Sequence, residues 1–198
     1  MKFILASKNK RKLNELNRIL LPLGIEVVNE TEIGIELPEV DETGATFEEN
    51  AYLKSESACR VANLPAIADD SGLCVDGLDG QPGVYSARFA GAEQDDEKNI
   101  DKLLDALKDA PIGDPRRNAQ FVSAICCCFP DSSTFTVRGE CHGFIDVCRR
   151  GNNGFGYDPV FICNGVSFAN MSDEEKDKVS HRGIALNKFV EKLKEYME

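Results

Sequence analysis

Apolar residues fall along the chain in two alternating rhythms. Phe3-Ile4-Leu5 opens it as a short apolar run, and Leu13, Leu16, Ile19 and Leu20 then recur at helical spacing. The pattern predicts a strand at 2–6, a helix closed by Gly24 and a second strand at 25–28. Thr46-Phe47-Glu48-Glu49 carries the capping-box signature and opens a helix with Phe47, Ala51, Ala58 and Val61 on one face. Ala66 to Ala68 runs into Asp69-Asp70-Ser71-Gly72 and Leu73-Cys74-Val75 resumes the apolar run, which predicts strand, polar turn, strand. Asp95 can cap a helix carrying Ile100, Leu103, Leu104 and Leu107 up to Pro111. A long strand is predicted at 121–129, turned by Pro130-Asp131-Ser132-Ser133 into an alternating strand at 134–141, with a separate one at 144–147. Ser172-Asp173-Glu174-Glu175 repeats the capping box, and Ser180 can cap a last helix with the stripe Leu186, Phe189, Val190, Leu193 and Met197.

With 198 residues and 42% hydrophobic content, the chain can bury one sizeable core, and one compact unit with two lobes is expected. The net charge of -11 and pI near 4.8 argue against nucleic-acid polymers and anionic membranes as partners. No run reaches the length of a membrane span, and the strand-like start lacks a signal peptide's apolar core, so a cytoplasmic location is expected. Eight cysteines include the run Cys126-Cys127-Cys128 but no Cys-x-x-Cys pair. Neighbouring strand residues diverge, which favours small-hydrophobe roles over a zinc site.

Against the acidic background, Lys8, Lys10, Arg11 and Lys12 cluster with Ser7 and Asn9 at a strand-to-helix junction. Such a junction suits phosphate, because free N–H groups and the helix dipole add to the side-chain charge; a solvated basic helix face is the alternative. Lys54 shares the apolar face of its helix, as a snorkelling stem or as a cation aimed into a cleft, and Asn50 points nearly the same way one turn earlier. Asp69 and Asp70 cannot both face one site along a strand, so one is the working group and the other structural. Gly151 to Pro159 holds Phe155, Tyr157 and Asp158 among glycines and asparagines, either as a stacking platform for a flat base or as a tight corner around a buried Tyr. His181-Arg182 begins a helix where cations oppose the dipole, either as a surface pair or as cations facing an anion or acceptor-rich ligand.

Ser7-Lys8-Asn9-x-x-Lys12, Glu42-Thr43-Gly44-x-Thr46-Phe47-x-Glu49-Asn50-Ala51-x-x-Lys54, Ala68-Asp69-Asp70-Ser71-Gly72-Leu73, Pro82-Gly83-Val84-Tyr85-Ser86-Ala87-Arg88, Gly154-Phe155-Gly156-Tyr157-Asp158-Pro159 and Ser180-His181-Arg182-Gly183 occur in this order. Together they resemble the non-canonical purine nucleoside triphosphate pyrophosphatases, the inosine/xanthosine triphosphate pyrophosphatase family. The resemblance implies hydrolysis of ITP, dITP and XTP to the monophosphate and pyrophosphate, with Mg2+, in a homodimer. The implied fold is α/β, an elongated two-lobed single domain over residues 1–198 around a long mixed β-sheet flanked by helices. The implied phosphate loop falls on Ser7, Lys8, Asn9, Lys10, Arg11 and Lys12, and the metal carboxylates on Glu42 and Asp70. Asp70 also matches the proton acceptor, and Lys54 a second catalytic group near the phosphates. Substrate contacts are implied at Ser71, at Phe155, Gly156, Tyr157 and Asp158, at Lys176, and at His181 and Arg182 beside the base. Lys8 departs from the small or amide residue usual at its position. A pyrophosphatase for pyrimidine or modified nucleotides and a non-catalytic nucleotide sensor are the alternatives.

Overall fold

The computed structural model describes residues 1–197 of the chain; the side chain of Met197 lies outside that description. Seven strands form one mixed sheet in the order β2-β1-β3-β4-β5-β6-β7: β1 Lys2–Leu5, β2 Glu26–Val28, β3 Ala66–Val75, β4 Asn118–Cys128, β5 Thr134–Ile145, β6 Phe161–Cys163 and β7 Val166–Ser167. Among the described residues the α-helices are α1 Lys10–Leu20, α2 Phe47–Ala62, α3 Asp96–Ala106, α4 Asp173–Val179 and α5 His181–Met197. β1 pairs in parallel with β2 and β3, as helical crossovers require, whereas β6 runs antiparallel to β5 and β7. Among the described residues no helix is long and apolar enough to cross a membrane.

The chain divides into two compact units. The first holds Met1–Asp70, Ser123–Gly139 and the chain from Arg182 onward, and the second Ser71–Val122 and Glu140–His181. Each has its own core. In the first, Leu13, Leu16 and Leu20 of α1 and Leu186, Phe189 and Leu193 of α5 pack with Phe3, Leu5 and Ile125. The rings of Phe3 and Phe189 meet edge to face, 6.1 Å apart. In the second, Ile100 and Leu103 of α3 pack with Leu73, Val75, Phe121, Phe161 and Phe168.

Caps set the helix starts much as their residues suggest. Asn9 caps α1, Asp95 caps α3, and both capping boxes form, at Thr46–Glu49 and Ser172–Glu175. Gly24 closes a short 3-10 turn that follows α1, with φ of 77°. Three expectations are corrected. β3 is one unbroken strand through Asp69-Asp70-Ser71-Gly72, because its polar side chains find partners on both faces and need no turn. Of the strand predicted at 144–147, Phe144 and Ile145 are the end of β5 and Asp146 and Val147 lie beyond it: Gly143 lets the Ile162 carbonyl come so close that any Cβ would collide with it, and Phe144 and Ile145 pair with β6. Val61 is exposed, and six of the eight cysteines are buried.

Candidate active site

Because β3 stays extended, its two acids diverge. Asp70 receives Lys54 Nζ on Oδ1 at 2.5 Å, and the same ammonium reaches Glu42 Oε1 at 2.9 Å. Lys54 therefore bridges two carboxylates from different segments, which decides its role on α2 in favour of a cation in a polar centre over a snorkelling stem. Burial works against the lysine's charge, yet Asp70 and Glu42 more than compensate and raise its pKa. Burial also raises the Asp70 carboxyl above its ordinary range, against the pull of Lys54. Ser7, Lys8 and Lys54, with Glu30, Glu39 and Val40, line a cleft of about 160 Å³ in this first unit.

Asp69 faces the other way and is almost wholly buried. Arg182 donates to its Oδ2 through Nε at 3.2 Å and Nη2 at 2.9 Å, Lys12 Nζ reaches the same oxygen at 2.9 Å, and Ser123 donates to Oδ1 at 2.5 Å. Burial alone would raise the Asp69 pKa, but the Arg182 and Lys12 charges outweigh it and hold the carboxyl well below its usual range. Arg182 Nη1 also pairs with Glu15. The guanidinium expected at the edge of a base is thus committed to two carboxylates in this structure. Lys12, expected at a phosphate, is likewise turned inward, and its Nζ also donates to the Asp69 carbonyl at 3.0 Å.

The rest of the predicted phosphate loop lies open. Lys8, Asn9, Lys10 and Arg11 are exposed and Ser7 is half-buried. Asn9 Oδ1 accepts from the N–H groups of Arg11 and Lys12 at 2.9 and 3.3 Å, so the cap itself already uses two of the leading amides of α1.

In the second unit the Gly-rich loop is organised by one acid. Asp158 Oδ2 accepts from Lys176 Nζ at 2.5 Å and from the Phe155 N–H at 2.9 Å. Gly154 is required beside it, since φ is 76° and an added Cβ would strike the carboxylate. The Lys176 ammonium sits 5.2 Å from the centroid of the half-buried Phe155 ring. Tyr157 is buried, and its hydroxyl donates to the Ser86 carbonyl at 2.8 Å, so it anchors the loop and does not offer a ring to a ligand. Gly156 donates to Asp96 at 2.9 Å. His181 stacks on Phe121 with centroids 4.7 Å apart, and Phe121 stacks in turn on Phe168. Ser71 is half-buried at the start of this unit. Asp158→Ala is expected to strand the buried Lys176 charge and release Phe155 N–H, a loss of about 3–5 kcal/mol in stability for breaking a buried pair. Denaturant unfolding measures it, and a change below about 1 kcal/mol, the scale of an exposed pair, contradicts the assignment.

Sequence reasoning gave no role to three members of these networks. Ser123 is a hydroxyl inside the apolar run of β4, Glu15 is the acid in the basic first segment, and Ser86 joins Leu73 N–H to the Gly83 carbonyl through its Oγ. For the first two the signal was a residue out of character with its surroundings.

Among the described residues no group of three or more His, Cys, Asp or Glu is placed to hold a metal ion. Glu42 and Asp70 nevertheless fit magnesium, which takes one or two protein carboxylates and completes its shell with water and substrate phosphate oxygens. Both already converge on one positive charge, the Lys54 ammonium.

The Ham1 family model matches residues 3–192. A dITP/XTP pyrophosphatase of Bacillus cereus is 46% identical over 98% of this chain and 95% of its own length, and one of Haemophilus influenzae is 48% identical over 97% and 98%. The structure of a Ham1 protein from Staphylococcus aureus superimposes with a TM-score of 0.86 at 41% identity, covering 99% of this chain and all of that one. A match along nearly the whole of both chains at this identity leaves one conclusion: the chain belongs to the Ham1 family.

Proposed function

We propose that the chain hydrolyses non-canonical purine nucleoside triphosphates, dITP, ITP and XTP, to the monophosphate and pyrophosphate. The observation that carries the reading is the convergence of Asp70, Glu42 and Lys54 in a chain nearly half identical to proteins named dITP/XTP pyrophosphatase. Phosphoryl chemistry asks mainly for positioning and charge stabilisation, and this centre supplies both. Asp70 takes the proton of the attacking water. Lys54 sets its charge against the phosphoryl oxygens, and Ser7, Lys8 and Lys10 offer a hydroxyl and two cations to the outer phosphates. Magnesium, held by Glu42 and Asp70 when bound, supplies Lewis-acid stabilisation of the phosphate charge. The Phe155 face, fixed by Asp158 and flanked by Lys176, suits a flat base, whose edge the family resemblance assigns to His181. The net charge of -11 supports small nucleotides over nucleic-acid polymers and anionic membranes as partners, and the family resemblance is the ground for a cytoplasmic homodimer.

Pyrophosphate release from dITP, XTP, dGTP and dATP tests the reading. The expected order of kcat/KM places the first two far above the others. Equal rates overturn the specificity, and binding without release makes the chain a sensor. Lys54→Met keeps the apolar stem and removes the ammonium. It is expected to cost about 2–3 kcal/mol of transition-state stabilisation, the worth of a charge-assisted contact. With two carboxylates left facing each other, Mg2+ is also expected to raise the melting temperature of this variant more than that of the wild type. Wild-type kcat/KM in Lys54→Met removes the lysine from the site.

A further inference from the structure

The polar centre of the first unit contains a side chain that the proposed reaction leaves without a role. Asn50 lies on α2 one turn before Lys54 and is fully buried. A buried primary amide is costly unless its groups are partnered. Its Oδ1 accepts from the Gly44 N–H at 2.8 Å, and its Nδ2 points at Asp70 Oδ2, at the 3.5 Å limit of a hydrogen bond. The Gly44 donor fixes which end of the amide is which: the oxygen must face the loop, so the NH2 faces the carboxylate.

The contact with the loop is close. A Cβ on Gly44 would lie 2.7 Å from Asn50 Oδ1 and 2.7 Å from Glu49 Cβ. Glu49 holds the same stretch from the other side, accepting from Ala45 N–H at 2.6 Å and from Thr46 N–H at 3.2 Å. Glu42 precedes this clamp by two residues, and its carboxylate is what the clamp delivers to Lys54. One amide therefore touches the loop that carries one acid and the second acid directly.

We infer that Asn50 is a positioning residue for the divalent cation: it sets the separation and orientation of Glu42 and Asp70, through the Gly44 N–H on one side and Asp70 Oδ2 on the other. The inference rests on the reading of those two carboxylates as the metal's ligands. Asn50 supplies neither of the two carboxylates, so removing it loosens the cation site while leaving both acids in place.

The test uses Mn2+ as a spectroscopic stand-in, its binding to the protein followed by electron paramagnetic resonance, beside the Mg2+ dependence of pyrophosphate release from dITP. Asn50→Ala is expected to weaken Mn2+ binding about tenfold and to raise the half-saturating Mg2+ by a similar factor. KM for dITP at saturating Mg2+ should change much less, a split that a general loss of fold does not produce. Gly44→Ala disturbs the same tie without emptying a buried position, and is expected to move Mn2+ affinity in the same direction. It decides the matter if Asn50→Ala does not fold. Wild-type Mn2+ affinity in whichever of the two variants folds overturns the inference, provided Glu42→Gln and Asp70→Asn weaken Mn2+. If those two also bind Mn2+ as the wild type does, the metal reading itself fails and the inference falls with it.

Discussion

Asp70→Asn is expected to lower kcat for dITP by roughly 10²–10⁴-fold, the span that removing a general base or metal-held water supplies. The amide keeps the shape of the side chain but cannot accept a proton from water and binds a cation poorly. Lys54 retains Glu42 as a partner at 2.9 Å, so the fold should persist with a small change in melting temperature. Steady-state kinetics on a variant shown to be folded checks the expectation. A loss below tenfold takes Asp70 out of the chemistry.

The neighbouring acid should behave in the opposite way. Asp69→Asn is expected to destabilise the chain by about 3–5 kcal/mol, because it leaves the Arg182 and Lys12 charges buried without their shared counter-charge. Glu15 still pairs with Arg182 but does not bridge to Lys12. Urea unfolding measures the loss, and a fall of less than about 1 kcal/mol contradicts the network, since that is the scale of an exposed pair. Catalysis by the surviving folded fraction should be less affected than in Asp70→Asn. Two adjacent aspartates would then divide stability and activity between them because strand geometry sends them to opposite faces.

That the two acids face opposite ways was legible in the sequence from the period-two rule, although the same stretch was expected to break into a turn. Asp-Ser-Gly reads as turn chemistry because such side chains usually satisfy backbone groups nearby. Here the two acids are satisfied at long range, by Arg182 and Lys12 on one face and Lys54 on the other, and no local pattern encodes partners so distant in the chain. Helix starts were the easiest elements to place, because Thr46–Glu49 and Ser172–Glu175 carry their caps within four residues. The inward turn of Lys12 and Arg182 was hidden for the same reason as the turn. A cation near a helix start looks alike in sequence whether it faces phosphate or a buried carboxylate. For Tyr157 the loop left two readings open, and the buried corner is the one found: its hydroxyl reaches a carbonyl and the ring goes inside.

Cleavage of a nucleoside triphosphate at this centre should leave pyrophosphate. Phosphorus NMR of the products formed from dITP and Mg2+ tests it most directly, with Asp70→Asn as the control. Deoxyinosine monophosphate and pyrophosphate are expected in equal amounts from the wild type, with almost none from the variant. Deoxyinosine diphosphate with orthophosphate, or the same products at the same rate from Asp70→Asn, would contradict it.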